Sequence, residues 1–308
     1  MKKKVSVIGA GNVGASLAQL IVHSGIADVV LFDIAEGVPQ GKALDLAEAC
    51  PVWKSSSSVV GTNDFADTTG SDIIVVTAGF PRKPGMSRDD LLFANAKVVS
   101  DVVEATSKLS PDSLIIAVTN PMDVMAQVSM DVSGFPSERV MGMGGILDSA
   151  RFRTFVAWEA GVSPEDVEAL VLGGHGDLMV PMPRFTTVKG VPITELFSAE
   201  RIDALVQRTR HGGAEIVSLL KSGSAYYAPA ASTFQMVKSV ILDEKRLLPC
   251  AAYLNGEYGV TGYYTGVPVV LGASGVERIV ELKLNIEEEK DLDKSVVAVK
   301  MLVEKLKS

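Results

Sequence analysis

The chain has three histidines, and one of them stands where imidazole chemistry is possible. His175 sits in "VLGGHGDLMVP", flanked by Gly173, Gly174 and Gly176 directly after an apolar run. Glycine removes side-chain bulk, so backbone and a small substrate can approach the ring. Imidazole is the side chain best suited to take or give a proton near neutral pH. The same segment also reads as an ordinary turn with a structural histidine. His23, near the end of a helical pattern, reads as a surface or capping residue, and His211, in "RTRHGGAE", as a polar position on a long helix. The segment "GILDSARFR" offers companions for His175. Asp148 and Arg151 are three apart, so in a helix they share a face. A carboxylate pairs naturally with imidazole, and the guanidinium fork matches a substrate carboxylate. The plainer alternative is a helix cap and a surface cation. Arg153 points elsewhere and reads as surface. No nucleophile triad stands out, and the few His and Cys residues leave no metal-ligand cluster.

A second constellation suits phosphate. "VSVIGAGNVGAS" contains Gly9-x-Gly11-x-x-Gly14 after an apolar strand pattern and at the opening of a helical one. In that setting Gly9 permits the tight turn, Gly11 lets backbone approach a pyrophosphate, and Gly14 lets helix pack on strand. The helix N-terminus adds unpaired N–H groups and the positive end of a dipole. Asp33 lies nineteen residues beyond Gly14, at the end of the next strand pattern. A carboxylate there can accept from ribose hydroxyls and would repel a 2′-phosphate, which favours NAD over NADP; its plain alternative is a turn cap. "GVPQGKA" (37–43) resembles a Walker loop but is one spacer short and has Ala43 where a magnesium-holding hydroxyl belongs, so it reads as a helix start. A third stretch, "GFPRKPGMSRDD" (79–90), places Arg82, Lys83 and Arg88 among prolines and glycines, in a chain of net charge −8. Pro81, Pro84 and Gly85 restrict such a loop while leaving a pivot, and its charge predicts an anion beneath it.

These residues need elements to hold them. Nearly continuous apolar runs at 5–9, 29–33, 72–79, 114–120 and 139–143 predict strands covered on both faces. Helical patterns fall at Val13–His23, Gln40–Ala49, Asp89–Lys108 and Met122–Asp131. Alternating βα units imply a parallel, doubly wound sheet. The pattern changes near Ile146. Helices are expected at Asp148–Ala160, Ala199–Lys221, Pro229–Asp243 and Glu287–Lys307, with a strand near Val167–Leu172. Short strands with turn signals follow Leu248, including a hairpin at Asn255-Gly256. Ser55 to Ser58 read as a surface loop, and there is no internal repeat.

Composition bounds the rest. At 308 residues, with 47% hydrophobic and 21% charged residues, the chain can bury one large or two medium cores. The balance of 29 basic against 37 acidic residues argues against nucleic acid. Cys50 and Cys250 are too few for a disulfide framework and read as reduced thiols. The apolar run Val5–Ala10 is too short for a secretory leader, and no stretch approaches the roughly 18 apolar residues of a membrane span. A cytoplasmic protein with no membrane association is expected.

Together "VIGAGNVGA", "TAGFPRKPGMSRDDL", "VTNPMD", "LDSARFR", "GGHGD" and "GSAYYAPA" resemble the lactate/malate dehydrogenase superfamily over nearly the whole chain, most closely its lactate-dehydrogenase-like malate dehydrogenases. Each motif alone is weak; the set is highly specific. The resemblance implies an α/β fold: a Rossmann NAD-binding domain over 1–145, then a mixed α+β substrate-binding and catalytic domain over 146–308. It implies NAD as cofactor and reversible hydride transfer between (S)-malate and oxaloacetate. By that resemblance His175 exchanges the substrate proton, Asp148 orients its ring, and Arg151 grips the C1 carboxylate. Arg88 contacts substrate and polarises the carbonyl on loop closure. Arg82 selects the second carboxylate where lactate dehydrogenases carry Gln. Lys83 receives no role. Asn120 meets both substrate and nicotinamide, and Asn95 is a lesser contact. Further cofactor contacts are implied at Gly9, Gly11, Asn12, Val13, Gly14, Asp33, Thr77, Ala78, Gly79 and Val118. Ala225 departs from the Thr of lactate dehydrogenases, which fits the malate branch. Relatives form homodimers or homotetramers, and either is expected here. An L-lactate or other 2-hydroxyacid dehydrogenase, or an NAD-binding sensor without chemistry, are the rival readings.

Overall fold

The computed structural model describes residues 2–80 and 87–307, with Arg88 described by its backbone alone. Arg82 and Lys83, and the shape of their loop, therefore lie outside the described residues. The first half alternates strand and helix: β1 (Lys3–Ile8), α1 (Asn12–Ser24), β2 (Ala27–Phe32), α2 (Val38–Trp53), β3 (Val59–Thr62), β4 (Ile73–Val76), α3 (Arg88–Leu109), β5 (Leu114–Ala117), α4 (Met122–Ser133) and β6 (Val140–Gly142). Its strands lie side by side in the order β3-β2-β1-β4-β5-β6, and every pairing among them is parallel. The near-continuous apolar runs follow from cover on both faces. Val5, Val7, Val29, Leu31, Ile73 and Val75 point into one core. The alternate residues Ile8, Phe32, Ile74, Val76, Ile115 and Ala117 point into the other. Strand side chains alternate between faces, so a run must be apolar throughout when both faces are dry.

The second half comprises α5 (Gly145–Ala160), β7 (Val167–Glu168), β8 (Val171–Leu172), β9 (Val180–Pro181), β10 (Thr187–Val188), β11 (Val191–Pro192), α6 (Ile193–Leu196), α7 (Ala199–Leu220), α8 (Tyr227–Ile241), β12 (Arg246–Asn255), β13 (Thr261–Gly272), β14 (Gly275–Ile279) and α9 (Ile286–Lys307). The strands expected to be short are long: β12 has 10 residues and β13 has 12. They extend the first-half sheet. β12 lies antiparallel beside β6 through Ala251 and Gly142, completing a nine-stranded sheet. A third core, around Phe152, Val156, Val171, Met179 and Leu205, belongs to the second half alone.

Two local readings need correcting, and a third holds. The strand near Val167–Leu172 is two strands, β7 and β8, which join different small sheets. β3 had no strong signal because "VVGT" is a half-exposed edge strand of four residues. The expected hairpin at Asn255-Gly256 does form: β12 and β13 pair antiparallel, joined by a short helical turn, Glu257–Gly259.

Candidate active site

The parallel strands deliver their following loops to one edge of the sheet, where such folds bind ligands. After β1, Gly9 takes φ 110°, a conformation side chains rarely adopt. An added Cβ at Gly9 would stand 2.7 Å from the Ala78 nitrogen, and one at Gly14 would collide with the carbonyl oxygen of Gly9. Gly11 differs: nothing lies within 4 Å of its added Cβ. Two glycines thus close-pack the turn while the third leaves space in front of it. Gly11 caps α1 without a side-chain hydrogen bond, and Asn12 follows as an exposed first helical residue. Asp33, after β2, accepts from the Ala10 N–H at 2.7 Å and the Ala35 N–H at 2.9 Å, so it also braces the glycine turn. The Thr77 hydroxyl donates to the carbonyls of Ile8 and Gly9. A cavity of about 220 Å³ is lined by Gly9, Gly11, Asp33, Thr77, Ala78 and Gly79, among others.

Asn95 on α3 sits behind these loops. Its carboxamide oxygen accepts from the Phe80 N–H at 2.7 Å, and its nitrogen donates to the carbonyl of Asn120 at 2.7 Å. It is 1% exposed, so it ties the loop after β4 to the loop after β5.

The second glycine turn follows β8. His175 Nδ1 lies 2.7 Å from Asp148 Oδ2, and Asp148 Oδ1 accepts from Arg151 Nη1 at 3.0 Å. One buried carboxylate is therefore shared by imidazole and guanidinium, as the three-residue spacing on α5 permits. Their side chains are 13%, 2% and 13% exposed for His175, Asp148 and Arg151. With Nδ1 taken, Nε2 is the ring nitrogen left for a substrate. Room for Arg151 comes from α7: an added Cβ at Gly212 would stand 3.1 Å from its Cδ, and one at Gly213 3.5 Å from Nη2. A cavity of about 370 Å³ brings together His175, Arg151, Asn120, Val13, Val118 and Ala225. The two cavities share the edge of the sheet.

A match to two family models covers this architecture. Residues 3–142 match "lactate/malate dehydrogenase, NAD binding domain" and residues 146–308 match "lactate/malate dehydrogenase, alpha/beta C-terminal domain". The malate dehydrogenase of Roseiflexus sp. is 56% identical over 100% of both chains. The crystal structure of Cryptosporidium parvum malate dehydrogenase superposes with a TM-score of 0.97 at 43% identity, covering 100% of this chain and 99% of that one. The chain belongs to the lactate/malate dehydrogenase family. A lactate dehydrogenase from the same organism, described as complexed with lactic acid and β-nicotinamide adenine dinucleotide, also superposes with a TM-score of 0.97, at 44% identity and the same coverage. Backbone shape therefore does not separate the two activities of the family; side chains must.

Burial works to lower the His175 pKa, but the charge and hydrogen bond of Asp148 outweigh it, so the net direction is upward. The imidazolium form is favoured in the family site, and its stabilising contribution is present below the ordinary histidine pKa and lost as pH rises through the raised one.

One residue departs from its sequence reading, and three other readings hold. Arg153 is not a free surface cation: its Nε donates to the Val167 carbonyl at 2.7 Å and Nη2 to the Pro164 carbonyl at 3.2 Å. It faces a separate cavity of about 480 Å³, with Ser149 and Glu168, which does not include His175. "GVPQGKA" does open α2, and Lys42 reaches back to the Ala10 carbonyl at 2.6 Å. His23 is exposed and packs edge-on to Trp53, and exposed His211 pairs with the Gln207 carbonyl. Two participants had no assigned role. Asp123, within "VTNPMD", accepts from the His175 backbone N–H at 2.7 Å. Ser295, on α9, accepts from the Gly174 N–H at 2.8 Å from 121 residues away, a distance that no local pattern reveals.

Proposed function

We propose that this chain is an NAD-dependent malate dehydrogenase, catalysing (S)-malate + NAD⁺ ⇌ oxaloacetate + NADH + H⁺. The reading rests first on Arg151, which lines the same cavity as His175. Its Nη1 is held by Asp148. A fixed guanidinium beside an imidazole suits a substrate carboxylate, which the planar fork can pair. The full-length relatives named malate dehydrogenase support the choice of substrate.

The residues present fit the dinucleotide. The space before Gly11, the uncapped start of α1 and the Asp33 carboxylate suit pyrophosphate and a ribose without a 2′-phosphate. The bound nicotinamide supplies the hydride chemistry. In the reducing direction, protonated His175 delivers its Nε2 proton to the ketone oxygen of oxaloacetate. Asp148 holds the ring and stabilises its charge. Arg151 fixes the C1 carboxylate, and Asn120 contributes a polar contact at the same cavity. Arg88 stabilises the growing negative charge on the oxygen, and closure of its loop excludes water. Arg82 pairs the second carboxylate, which pyruvate lacks. Thr77, Ala78, Gly79, Val118, Val13, Asn12 and Asn95 shape or brace the cofactor side. We take 1–145 and 146–308 as the functional units, in a cytoplasmic homodimer or homotetramer. Exposed apolar side chains such as Leu44, Val52, Leu219 and Tyr227 support burial against another copy. No helix among the described residues is long and apolar enough to cross a membrane.

Initial rates with oxaloacetate and pyruvate, each with NADH and NADPH, test the assignment. Oxaloacetate with NADH is expected to dominate; pyruvate preference would favour a lactate dehydrogenase, and no turnover a sensor. Arg82→Gln should move kcat/KM towards pyruvate. Leaving a closed-site charge unpaired costs on the order of 3–5 kcal/mol, or several hundredfold or more. An unchanged oxaloacetate-to-pyruvate ratio would remove Arg82 as the selector.

A further inference from the structure

The turn carrying His175 is tied by three consecutive N–H groups to three different elements. Gly173 donates to the Gly266 carbonyl on β13 at 2.8 Å. Gly174 donates to Ser295 Oγ on α9 at 2.8 Å, and His175 to Asp123 Oδ2 on α4 at 2.7 Å. There is little slack: an added Cβ at Gly174 would stand 2.7 Å from Val299 Cγ2. Asp123 is the one ionisable partner of these three, and it is 4% exposed. Its second oxygen, Oδ1, is buried without a hydrogen-bond partner among the described residues. An amide could accept the same hydrogen bond without a charge to desolvate. What the carboxylate adds over an amide is its negative charge.

We propose that Asp123 is a positioning residue for proton transfer: it holds the His175 backbone against Asp148 and places a second carboxylate behind the imidazole. This rests on His175 being the proton-transfer group. The titratable groups acting on Asp123 are His175, from the turn, and Asp148, from α5. Arg151, also on α5, acts on His175 in the opposite sense. From α9 the turn meets Ser295 and Val299, which carry no charge. Burial raises the Asp123 pKa to about 6, against the pull of the His175 N–H and charge. Above that pH the ionised carboxylate favours imidazolium, the form needed to reduce a ketone. Asp148 orients the ring through its side chain, whereas Asp123 fixes where the ring is mounted.

The test is the pH dependence of kcat/KM for oxaloacetate at saturating NADH, in wild type, Asp123→Asn and Ser295→Ala. The wild-type alkaline limb reports loss of the His175 proton. In Asp123→Asn its midpoint should shift to lower pH, the direction expected when a negative charge that favours imidazolium is removed. Ser295→Ala loosens the same turn without removing charge, so it should lower kcat and leave the midpoint in place. If Asp123→Asn fails to fold, the coupling is read from the other side. Asp carboxyl ¹³C titration should show the Asp123 midpoint rising in His175→Asn relative to wild type, because the two ionisations must influence each other equally. An unmoved midpoint in folded Asp123→Asn, or in that reciprocal titration, overturns the inference. If His175→Asn is inactive in the same assay, the reaction assignment stands regardless; a His175-independent rate would remove the assignment itself.

Discussion

The molecule uses two glycine-rich turns after strands, and they do opposite things with glycine. In the turn at Gly9 to Gly14 the backbone is the working surface. Gly9 and Gly14 have no room for a Cβ, and Gly11 opens onto space. In the turn at Gly173 to Gly176 a side chain is the working surface, and Gly173 and Gly174 are wedged against Ser295 and Val299 so that His175 is mounted rigidly. The first turn is assembled mostly by neighbours in sequence, from β1 through β2, with Thr77 and Ala78 after β4 packed against it. The second depends on α4, α5, α9 and β13, which reach it from far along the chain. Binding a phosphate needs N–H groups and a dipole, which one strand and one helix supply. Positioning a proton needs charged side chains at fixed distances, and only long-range packing supplies those.

Breaking the second turn's chemistry should have the largest effect. His175→Asn is expected to reduce kcat by roughly 10²–10⁴-fold, with NADH affinity by fluorescence titration near wild type. Wild-type-like turnover would show that the side chain is not the working surface there. At the first turn the contrast lies between two glycines. Gly14→Ala forces Cβ onto the Gly9 carbonyl and should cost about 1–3 kcal/mol in stability by thermal melting, with weaker NADH binding. Gly11→Ala meets nothing in the free protein, so its melting temperature should hold while NADH binding falls. If both variants melted alike, the division between packed and open glycines would be lost.

The smallest effect concerns pH. The fold raises the Asp123 pKa from 3.8 to about 6, so ionising it opposes folding. That cost is absent below the unfolded value, grows as pH rises between the two, and is complete above the folded one. Asp123→Asn removes it. The melting temperature of the variant relative to wild type should therefore climb by a few degrees between about pH 4 and pH 7. A gap that does not change with pH would mean that Asp123 does not titrate in this range.

Much of the first turn was legible because its determinants are local. A strand run, three glycines at fixed spacing and a carboxylate at the next strand end lie within 33 residues. Asp148 and Arg151 were legible as a pair because helical geometry puts residues three apart on one face. Arg153 was misread because spacing gives the direction of a side chain but not what waits there, in this case the carbonyls of Pro164 and Val167. β3 was missed because a half-exposed edge strand has no continuous apolar signature, and β7 and β8 were merged because their break is too short to leave one.

By itself the sequence determined the alternation of βα units, the phosphate-type turn, the family, and which ionisable residues could serve a proton-transfer site. These follow from hydrophobic periodicity and from residues close enough along the chain to constrain one another. The tertiary structure decided that Asp148 is shared between His175 and Arg151, that Asp123 and Ser295 anchor the histidine's backbone, and that β12 to β14 extend the parallel sheet. Those are meetings between segments as much as 121 residues apart. They come from packing helices onto both faces of one sheet, and no local pattern in the chain encodes them.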